Sequence, residues 1–564
     1  MNTLLIAVNA KYIHSNPAVY SLRAYAKGCP GRVEIAEYTI NQPREQVLAD
    51  IYRRKPDVAA FSCYLWNIEY VRALIPELAA VLPEVRIWAG GPEVSYDSER
   101  FLREVPEVEL VMNGEGEAVF RKLLLAGENG WESVPGITRR LPGGEALANP
   151  PEPLLPMDEI PFPYRDLKAF ENRIVYYESS RGCPFSCSYC MSSIEKTVRL
   201  RSLEKVEREL AFFLENRVPQ VKFVDRTFNC SHTHAMGIWR YIRDHDNGVT
   251  NFHFEIAGDL LTEEELALLA GMRPGLVQLE IGVQSTNPDT LAAVRRKTDL
   301  KRLAKTAERI RKAGNIHQHL DLIAGLPMED LESFRRSFNQ VYAMKPQQLQ
   351  LGFLKVLKGS EMYRRAREFG IVYRRLPPYE VLSTPWLSYG ELLELKSVEE
   401  MVEIYYNSSQ YSHTIEYLET LFSDAYSLYS ALGSFYLEKG YQGMNQSRMG
   451  RIEILRSFAR KLHGCRMEEC EERLLYDLYA RENSKSRPDW APDLSDKKDA
   501  VYAFYQKEAE EKRYLKRQEP VRKLLHESHV EIFRSGRWLL FDYRNRDPLT
   551  GNAAVWDVTP AGGT

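Results

Sequence analysis

Three cysteines stand close together in the middle of the chain, at Cys183, Cys187 and Cys190. With three and then two residues between them, one tight loop can point all three thiolates at a compact iron–sulfur cube. A [4Fe–4S] cluster usually takes four cysteines, so three leave one iron open, as a catalytic metal site requires. The alternative is a zinc site completed by a distant histidine or cysteine. Because the triplet directly follows a strand pattern, the iron–sulfur cluster is favoured.

The elements that would position this loop are six strand patterns, most of them followed by a helical pattern. The six lie at 174–178, 221–224, 252–256, 276–281, 318–323 and 349–354. Ser202 and Asn287 are expected to start helices, and Thr262 with Glu265 has the spacing of a capping box. Alternation of this kind predicts parallel strands. Six units predict a partial (β/α)6 barrel of the TIM type, short of the full eight.

The first part of the chain repeats a strand and helix pattern five times, which predicts an α/β, doubly wound, Rossmann-like domain. Its strands are expected at 4–8, 33–38, 58–62, 86–89 and 109–112, and a helix at 68–81. Ligands of such sheets bind beyond the carboxyl ends of the strands. The polar or glycine-rich loops at those ends are 9–16, 62–67, 90–93 and 113–117.

Four regions are expected along the chain. Residues 1–148 form the first domain, a proline-rich linker occupies 149–168, and the barrel covers 169–375. Prolines at the density of the linker exclude helix and the interior of a sheet. Residues 376–564 are expected to form a mainly helical domain with strand-like segments at 529–542 and 553–558, and this domain has no recognisable catalytic motif.

The bulk composition is that of a globular protein, with 44% hydrophobic residues and a net charge of -3 over 564 residues. This charge gives no general attraction to nucleic acid or to anionic membranes. A basic run at 512–523 could meet RNA, but a solvated helix face is the favoured interpretation. We find no signal peptide and no apolar stretch long enough to span a membrane. The expectation is therefore a cytoplasmic protein with neither a membrane nor a nucleic acid as its partner.

The cysteine loop resembles the signature of the radical S-adenosylmethionine (SAM) superfamily, CxxxCxxC with an aromatic residue before the last cysteine, a place that Tyr189 fills. The resemblance implies that SAM binds the open iron and that a reductant such as flavodoxin or ferredoxin supplies electrons. Cleavage of SAM then yields a 5′-deoxyadenosyl radical. By position in the family pattern, the SAM-binding residues would be Tyr189, Asp225, Arg226, Glu255, Gln284 and Ile323.

Ser62 and the pair Gly90-Gly91 resemble the serine and paired glycines of cobalamin-binding domains. Proteins of that family that bind cobalt through histidine carry Asp-x-His-x-x-Gly, but here Lys11 stands at the ligand position and His14 follows three residues later. The resemblance implies a cobalamin site formed by Tyr12, His14, Ser62, Trp66, Gly90, Gly91, Glu93, Gly114 and Gly116. The alternative is a domain that only supports the barrel or binds another nucleotide.

The order of domains is similar to that of bacterial B12-binding radical SAM proteins with an uncharacterised C-terminal domain. This resemblance implies methyl transfer to an unactivated carbon of an unknown substrate, through methylcobalamin and the radical. One alternative keeps both cofactors but performs a radical rearrangement, cyclisation or oxidation. Another is a cobalamin-binding sensor or carrier without activity. Methylthio transfer to tRNA is disfavoured, because such enzymes carry three further N-terminal cysteines and this chain has only Cys29 and Cys63 there.

Overall fold

The computed structural model describes residues 1–127 and 130–560. Its N-terminal part holds a seven-stranded sheet with strand order β2-β1-β3-β4-β5-β6-β7. The strands are β1 (Asn2–Asn9), β2 (Arg32–Thr39), β3 (Val58–Ser62), β4 (Arg86–Gly90), β5 (Val108–Met112), β6 (Ile137–Arg140) and β7 (Ala146–Ala148). The first five are parallel, as expected, whereas β6 and β7 extend the sheet as antiparallel strands that the sequence analysis missed.

Helices cover both faces of this sheet, which is the doubly wound arrangement. They are α1 (Pro17–Tyr25), α2 (Arg44–Arg54), α3 (Ile68–Val81), α4 (Pro92–Ser95), α5 (Ser98–Glu104) and α6 (Gly116–Ala126). Strand β1 is a continuous apolar run, so its side chains enter a separate core on each face. Leu5 packs in the same core as Val19 of α1 and Phe120 of α6, and Ile6 packs with α2 and α3.

The central part of the chain forms a six-stranded parallel sheet with strand order β15-β14-β13-β12-β11-β8. The strands of this part of the chain are β8 (Val175–Tyr177), β9 (Ser180–Arg181), β10 (Arg199–Leu200), β11 (Gln220–Phe223), β12 (Asn251–Ile256), β13 (Val277–Gln284), β14 (His317–Ala324) and β15 (Gln348–Phe353). All six predicted barrel strands are present. The antiparallel pair β9 and β10 lies outside the sheet and encloses the cysteine loop.

Seven helices belong to this region: α7 (Leu203–Glu215), α8 (His232–Asp244), α9 (Glu263–Ala270), α10 (Pro288–Ala293), α11 (Leu300–Ala313), α12 (Leu331–Tyr342) and α13 (Glu361–Arg365). The capping box of Thr262 and Glu265 is formed, and Asn287 caps α10. Ser202 occupies the N-cap position just before α7, but its side chain makes no capping bond. The expectation for Ser202 was wrong in that respect, and its backbone N–H binds Asp158 instead.

The sheet is curved, with a polar concave face. Along β13 the buried residues Val277, Leu279, Ile281 and Val283 alternate with the half-buried Gln278, Glu280, Gly282 and Gln284. Lys222 of β11 reaches Glu280 of β13 at 3.1 Å, although β12 lies between these strands. Such a contact across a neighbouring strand requires that both side chains point into the hollow of a partial barrel.

The proline-rich tract contains one short 3-10 turn, at Met157–Glu159, and a second follows at Lys168–Phe170. After the barrel come β16 (Val372–Tyr373), β17 (Val381–Ser383), α14 (Tyr389–Val402), α15 (Ser412–Glu419), α16 (Ala425–Lys439), α17 (Arg448–Ala459), α18 (Met467–Arg481), α19 (Lys498–Glu511), α20 (Val521–Glu527), β18 (Ser528–Ile532), β19 (Trp538–Arg546) and β20 (Ala553–Asp557). The last three strands form an antiparallel sheet. Within the described residues, no helix is both long and apolar enough to cross a membrane.

Candidate active site

The cysteine loop is held by backbone hydrogen bonds. The N–H of Cys183 donates to the carbonyl of Glu195 at 2.9 Å, and the N–H of Cys190 donates to the carbonyl of Cys187 at 3.1 Å. Gly182, just before the loop, has φ +92°, and a Cβ there would lie 2.3 Å from the carbonyl oxygen of Thr197. Only glycine fits this position, because any side chain would push β9 away from the residues that lead into β10.

The ligand set of this loop fits an iron–sulfur cluster with one open iron. All three cysteines are free thiols; Cys183 and Cys187 are buried, and Cys190 is half-buried. Burial raises the pKa of the Cys187 thiol, and the Arg296 guanidinium, 3.8 Å from its Sγ, opposes this rise. A cluster held by three thiolates is anionic, so a fixed positive charge beside the loop favours its binding.

The six residues expected to bind SAM lie in the cysteine loop or at the carboxyl edge of the barrel. Asp225 and Arg226 follow β11, while Glu255, Gln284 and Ile323 are within two residues of the ends of β12, β13 and β14. Tyr189 lies in the loop itself, where its hydroxyl is 3.4 Å from Arg296. That these residues bind SAM stays a prediction.

Asp225 is buried and already saturated by bonds within the protein. Its carboxylate accepts hydrogen bonds from the N–H of Ser179 at 3.0 Å, from the hydroxyl of Ser179 at 2.6 Å and from that of Ser180 at 2.5 Å. Its structural effect is therefore to fix β9, the strand that leads into the cysteine loop. Glu255 lies 3.9 Å from Lys222, and Gln284 adopts a φ of +73° at the end of β13.

A cavity of about 1040 Å³ lies between the strand-end loops of the N-terminal sheet and the first strand of the barrel. This volume is at the upper end of the usual range for ligand sites, roughly 300–1000 Å³. The proline-rich tract contributes Leu154, Ile160, Pro161, Phe162 and Pro163 to the wall. The barrel contributes Tyr176, Tyr177, Glu178, Arg181 and Arg226. The cavity therefore joins the two halves of the predicted site.

Seven of the nine residues expected to bind cobalamin line this cavity: His14, Ser62, Trp66, Gly90, Gly91, Gly114 and Gly116. Tyr12 and Glu93 do not. Tyr12 is exposed, with the guanidinium of Arg173 over its ring. Glu93 is buried, and its carboxylate accepts a hydrogen bond from the hydroxyl of Tyr379 at 2.7 Å. Glu93 thus connects the N-terminal sheet to the segment after the barrel.

Two positions in the cavity wall are glycine for different physical reasons. Gly91, directly after β4, has φ +110°, and a Cβ there would lie 2.5 Å from the carbonyl oxygen of Cys63 in the loop after β3, so this close approach requires glycine. Gly114 has φ +73°, but no atom lies within 4 Å of its missing Cβ. Gly114 therefore leaves open space in the wall of the cavity, which allows a ligand to approach the backbone.

His14 lies at the junction between the two sheets. Its Nδ1 is 2.7 Å from the hydroxyl of Tyr176 on β8, and its backbone forms a bridge with Ile174. Burial, and then the charge of Lys11, lower the pKa of the His14 imidazole. A neutral ring on the wall of the cavity follows from this environment.

Two contributors to the site were not predicted from the sequence, Tyr64 and Arg181. Tyr64 stacks on Trp66 with ring centroids 4.5 Å apart, and both rings line the cavity. Arg181 of β9 binds Glu115, Glu117 and Glu178. Burial raises the pKa of Glu117, but the Arg181 guanidinium outweighs it and brings the pKa below its usual range. The position of Arg181, two residues before Cys183, was the signal in the sequence that could have revealed it.

Family models match three consecutive segments of the chain. Residues 3–124 match the B12 binding domain, and residues 177–341 match the radical SAM superfamily. Residues 367–539 match a protein family of unknown function, DUF4080. The segment that carries the cysteine loop is thus similar to the radical SAM superfamily. A segment similar to the B12 binding domain precedes it, and a segment that matches DUF4080 follows it.

The curated relatives include methyltransferases. The chain is 31% identical over 314 residues to the cobalamin-dependent radical SAM methyltransferase TokK of Streptomyces tokunonensis, an alignment that covers 50% of this chain and 44% of TokK. It is 28% identical over 295 residues to hopanoid C-3 methylase of Methylococcus capsulatus, covering 50% of this chain and 55% of that protein. The chain thus spans about half the length of these relatives.

Two solved structures share the fold. OxsB, a cobalamin-dependent SAM radical enzyme solved with aqua-cobalamin and SAM bound, has a TM-score of 0.59 at 17% identity, covering 86% of this chain and 81% of OxsB. The radical SAM methyltransferase TsrM of Kitasatospora setae has a TM-score of 0.56 at 16% identity, covering 67% of this chain and 79% of TsrM. At these identities the similarity establishes the fold of the N-terminal and barrel regions.

Proposed function

We propose that this protein is a cobalamin-dependent radical SAM methyltransferase that acts on an unactivated carbon. The observation that carries the proposal is the shared cavity. Its wall is formed on one side by the strand-end loops of the B12 binding domain and on the other by residues next to the cysteine loop, such as Arg181 and Arg226. A methyl carrier and a radical source can act on one substrate only if they open onto a common space.

In this proposal Cys183, Cys187 and Cys190 hold a [4Fe–4S] cluster, and the carboxyl edge of the barrel holds SAM beside it. Cobalamin occupies the cavity and contacts the loops that carry Ser62, Gly91 and Gly114. When bound, these groups supply a carbon-centred radical and a transferable methyl group.

The residues of the chain have three tasks around those groups. Arg296 places positive charge beside the cysteine loop. The rings of Tyr64 and Trp66 provide a flat apolar surface in the cavity. The proline-rich tract contributes the apolar side chains of Leu154 and Phe162 to the cavity wall. Exclusion of water protects reactive intermediates from side reactions.

Relatives with a different reaction supply a second candidate. The chain is 23% identical over 331 residues to the anaerobic magnesium-protoporphyrin IX monomethyl ester cyclase of Rubrivivax gelatinosus, covering 54% of this chain. A ring closure would use the same cofactors without transfer of a methyl group. A flavodoxin or ferredoxin as electron donor, and a location in the cytoplasm, belong to either version of the proposal.

The test is anaerobic reconstitution of the full chain with iron, sulfide and hydroxocobalamin, followed by addition of SAM and a reductant. We expect iron–sulfur and corrin absorption bands that survive gel filtration. We also expect S-adenosylhomocysteine whose formation depends on cobalamin, as methyl transfer requires, and 5′-deoxyadenosine. Formation of 5′-deoxyadenosine without S-adenosylhomocysteine would favour the cyclase-type reaction instead.

Two variants separate the cofactor sites. The triple variant C183A/C187A/C190A should lose the cluster and 5′-deoxyadenosine but retain cobalamin. G114L should lose cobalamin, since its side chain enters the cavity, and should retain the cluster. The matched control is G144L, because Gly144 also has a positive φ and open space around its missing Cβ but lies in the turn between β6 and β7. Equal cobalamin retention by G114L and G144L would contradict the proposed position of cobalamin.

A further inference from the structure

A group of polar side chains meets in the hollow of the barrel, outside the large cavity, and one of them, Glu255, is also among the residues expected to bind SAM. Four adjacent strands contribute to it: Lys222 comes from β11, His253 and Glu255 from β12, Glu280 from β13, and His319 and Asp321 from β14. Strand register explains the meeting, because Glu255 pairs with Glu280 and Glu280 pairs with His319. None of these residues lines the cavity proposed for cobalamin.

The two histidines approach carboxylates without making hydrogen bonds. Nε2 of His253 lies 3.0 Å from Oε2 of Glu280, and Nε2 of His319 lies 3.0 Å from Oδ1 of Asp321. Neither contact is aligned as a hydrogen bond, so both ring nitrogens and Oδ1 of Asp321 have ion-pair contacts but no hydrogen-bond partner. His253 is 7% exposed and His319 is 6% exposed. Buried polar atoms without partners are rare in proteins and call for an explanation, such as a bound ion.

We propose that Glu280, His319 and Asp321 bind a divalent transition-metal ion of the first row. One ligand atom from each residue lies within 4.8 Å of the others. Metal–ligand bonds of about 2.0–2.2 Å require ligand atoms no more than about 4.4 Å apart, so small side-chain rotations complete the site. Imidazole and carboxylate ligands suit ions such as Zn²⁺, Fe²⁺ and Mn²⁺. His253 beside Glu280 then orients that carboxylate, as second-shell partners of metal sites do.

The local charge also favours a cation at this position. Glu255, Glu280 and Asp321 are three carboxyl groups. Over residues 1–127 and 130–560, Lys222 is the only lysine or arginine within 4 Å of any of them. A divalent ion compensates the negative charge that remains after Lys222 and His253 pair with Glu280 and His319 pairs with Asp321. The ammonium of Lys222 lies 3.1 Å from Glu280 and competes with the ion for this carboxylate.

The test uses the full chain with C183A/C187A/C190A, so that no metal binds at the cysteine loop and the result is independent of the proposed function. This protein is titrated with Co²⁺ and followed by visible absorption and equilibrium dialysis. We expect one Co²⁺ per chain. In this background, the combined substitutions H319A and D321N should weaken Co²⁺ binding at least tenfold. The substitution H317A should not, because His317 is on the same strand but outside the group.

A second variant covers the case in which loss of His319 and Asp321 disturbs folding. K222M removes the competing ammonium and should tighten Co²⁺ binding several-fold, a gain that misfolding cannot produce. Thermal melting followed by circular dichroism checks each variant. The proposal is overturned if the protein without the three cysteines binds no Co²⁺, if the H319A/D321N variant binds it equally well, or if K222M binds it no more tightly.

Discussion

At the scale of single residues, Arg296 joins the cysteine loop to the wall of the barrel. Its guanidinium lies 3.8 Å from Sγ of Cys187 and 3.4 Å from the hydroxyl of Tyr189, and it also donates to the carbonyl of Gly282 on β13. A charge at this distance from a half-buried cluster interacts with it strongly, since the surroundings screen the interaction less than water does. Arg296 therefore influences both the position and the redox state of whatever the loop binds.

The first prediction concerns R296M in the reconstituted protein. Loss of this positive charge destabilises the reduced, more negative state of the cluster, so its reduction potential should become more negative than that of the wild type. Redox titration followed by electron paramagnetic resonance measures the shift. The control is R295M, because Arg295 pairs with Glu361 at the surface, 2.7 Å away, and should leave the potential unchanged. Equal potentials for the wild type and R296M would show that Arg296 does not contact the cluster region.

Local signals explain which site residues the sequence could predict. The cysteines, with Tyr189 among them, and the glycine pair Gly90-Gly91 are recognisable because spacing and backbone freedom are properties of neighbouring residues. The roles of Arg296 and Arg181 depend on partners distant in sequence, for example Glu117, 64 residues before Arg181. No local pattern encodes such contacts. For the same reason Glu93, expected to bind a ligand, turns out to bind Tyr379, 286 residues away.

At the scale of secondary-structure elements, α18 provides the N-terminal cap of α15. The carboxyl group of Asp477 on α18 accepts hydrogen bonds from the N–H groups of His413 and Thr414 and from the hydroxyl of Thr414, at 3.2, 2.9 and 2.7 Å. Burial raises the pKa of Asp477 from 3.8 to about 7, although these hydrogen bonds oppose the rise. Folding therefore favours the protonated form of the Asp477 carboxyl group.

The second prediction is a pH dependence of stability that D477N removes. Because the folded pKa is raised, the folded protein retains a proton that the unfolded chain has lost, so the contribution of Asp477 falls as pH rises from about 4 to about 7. A shift of about 3 pKa units corresponds to about 4 kcal/mol. Urea denaturation of wild type and D477N at several pH values measures the difference. Relative to D477N, the wild type should lose stability across this interval; a constant difference would contradict the raised pKa.

The elements themselves were predictable where the hydrophobic pattern is periodic or continuous. The helix Ile68–Val81 and the strand Val58–Ser62 have the bounds that the apolar positions indicate. Strands β6 and β7 were missed because they are short, and β7 is mostly exposed, with only Ala146 partly covered. Their place in the sheet depends on antiparallel pairing, of β6 with β5 and of β7 with β6, which no periodicity reveals. The strand-like segment 529–542 is divided into two strands by a turn at Gly536, which has a φ of +82°.

At the scale of the whole molecule, two sets of contacts attach the N-terminal sheet to the rest, in addition to the contacts of His14 with Tyr176 and Ile174. On one side two arginines come from the strands that enclose the cysteine loop. Arg181 binds Glu115, in the loop after β5, and Glu117 of α6, while Arg199 also binds Glu115. On the other side Glu93 binds Tyr379 and lies 3.5 Å from Lys358. The large cavity lies between the N-terminal sheet and the barrel, so its shape depends on how rigidly these contacts hold the two together.

The last prediction follows from this arrangement and concerns R181M. The side chain of Arg181 is only 15% exposed, and its removal leaves Glu115, Glu117 and Glu178 near one another without their shared cation. Breaking a buried ion pair by removing one partner typically costs about 3–5 kcal/mol, so urea denaturation should show a loss of this order. R100M is the matched control, because Arg100 is exposed and pairs with Glu104 on the same helix, a contact worth about 0–1 kcal/mol. Since Arg181 also lines the cavity and precedes Cys183 by two residues, R181M should lower the retention of cobalamin and of iron together. An R181M protein as stable as R100M, with both cofactors retained, would mean that the two halves of the site are held together by other contacts.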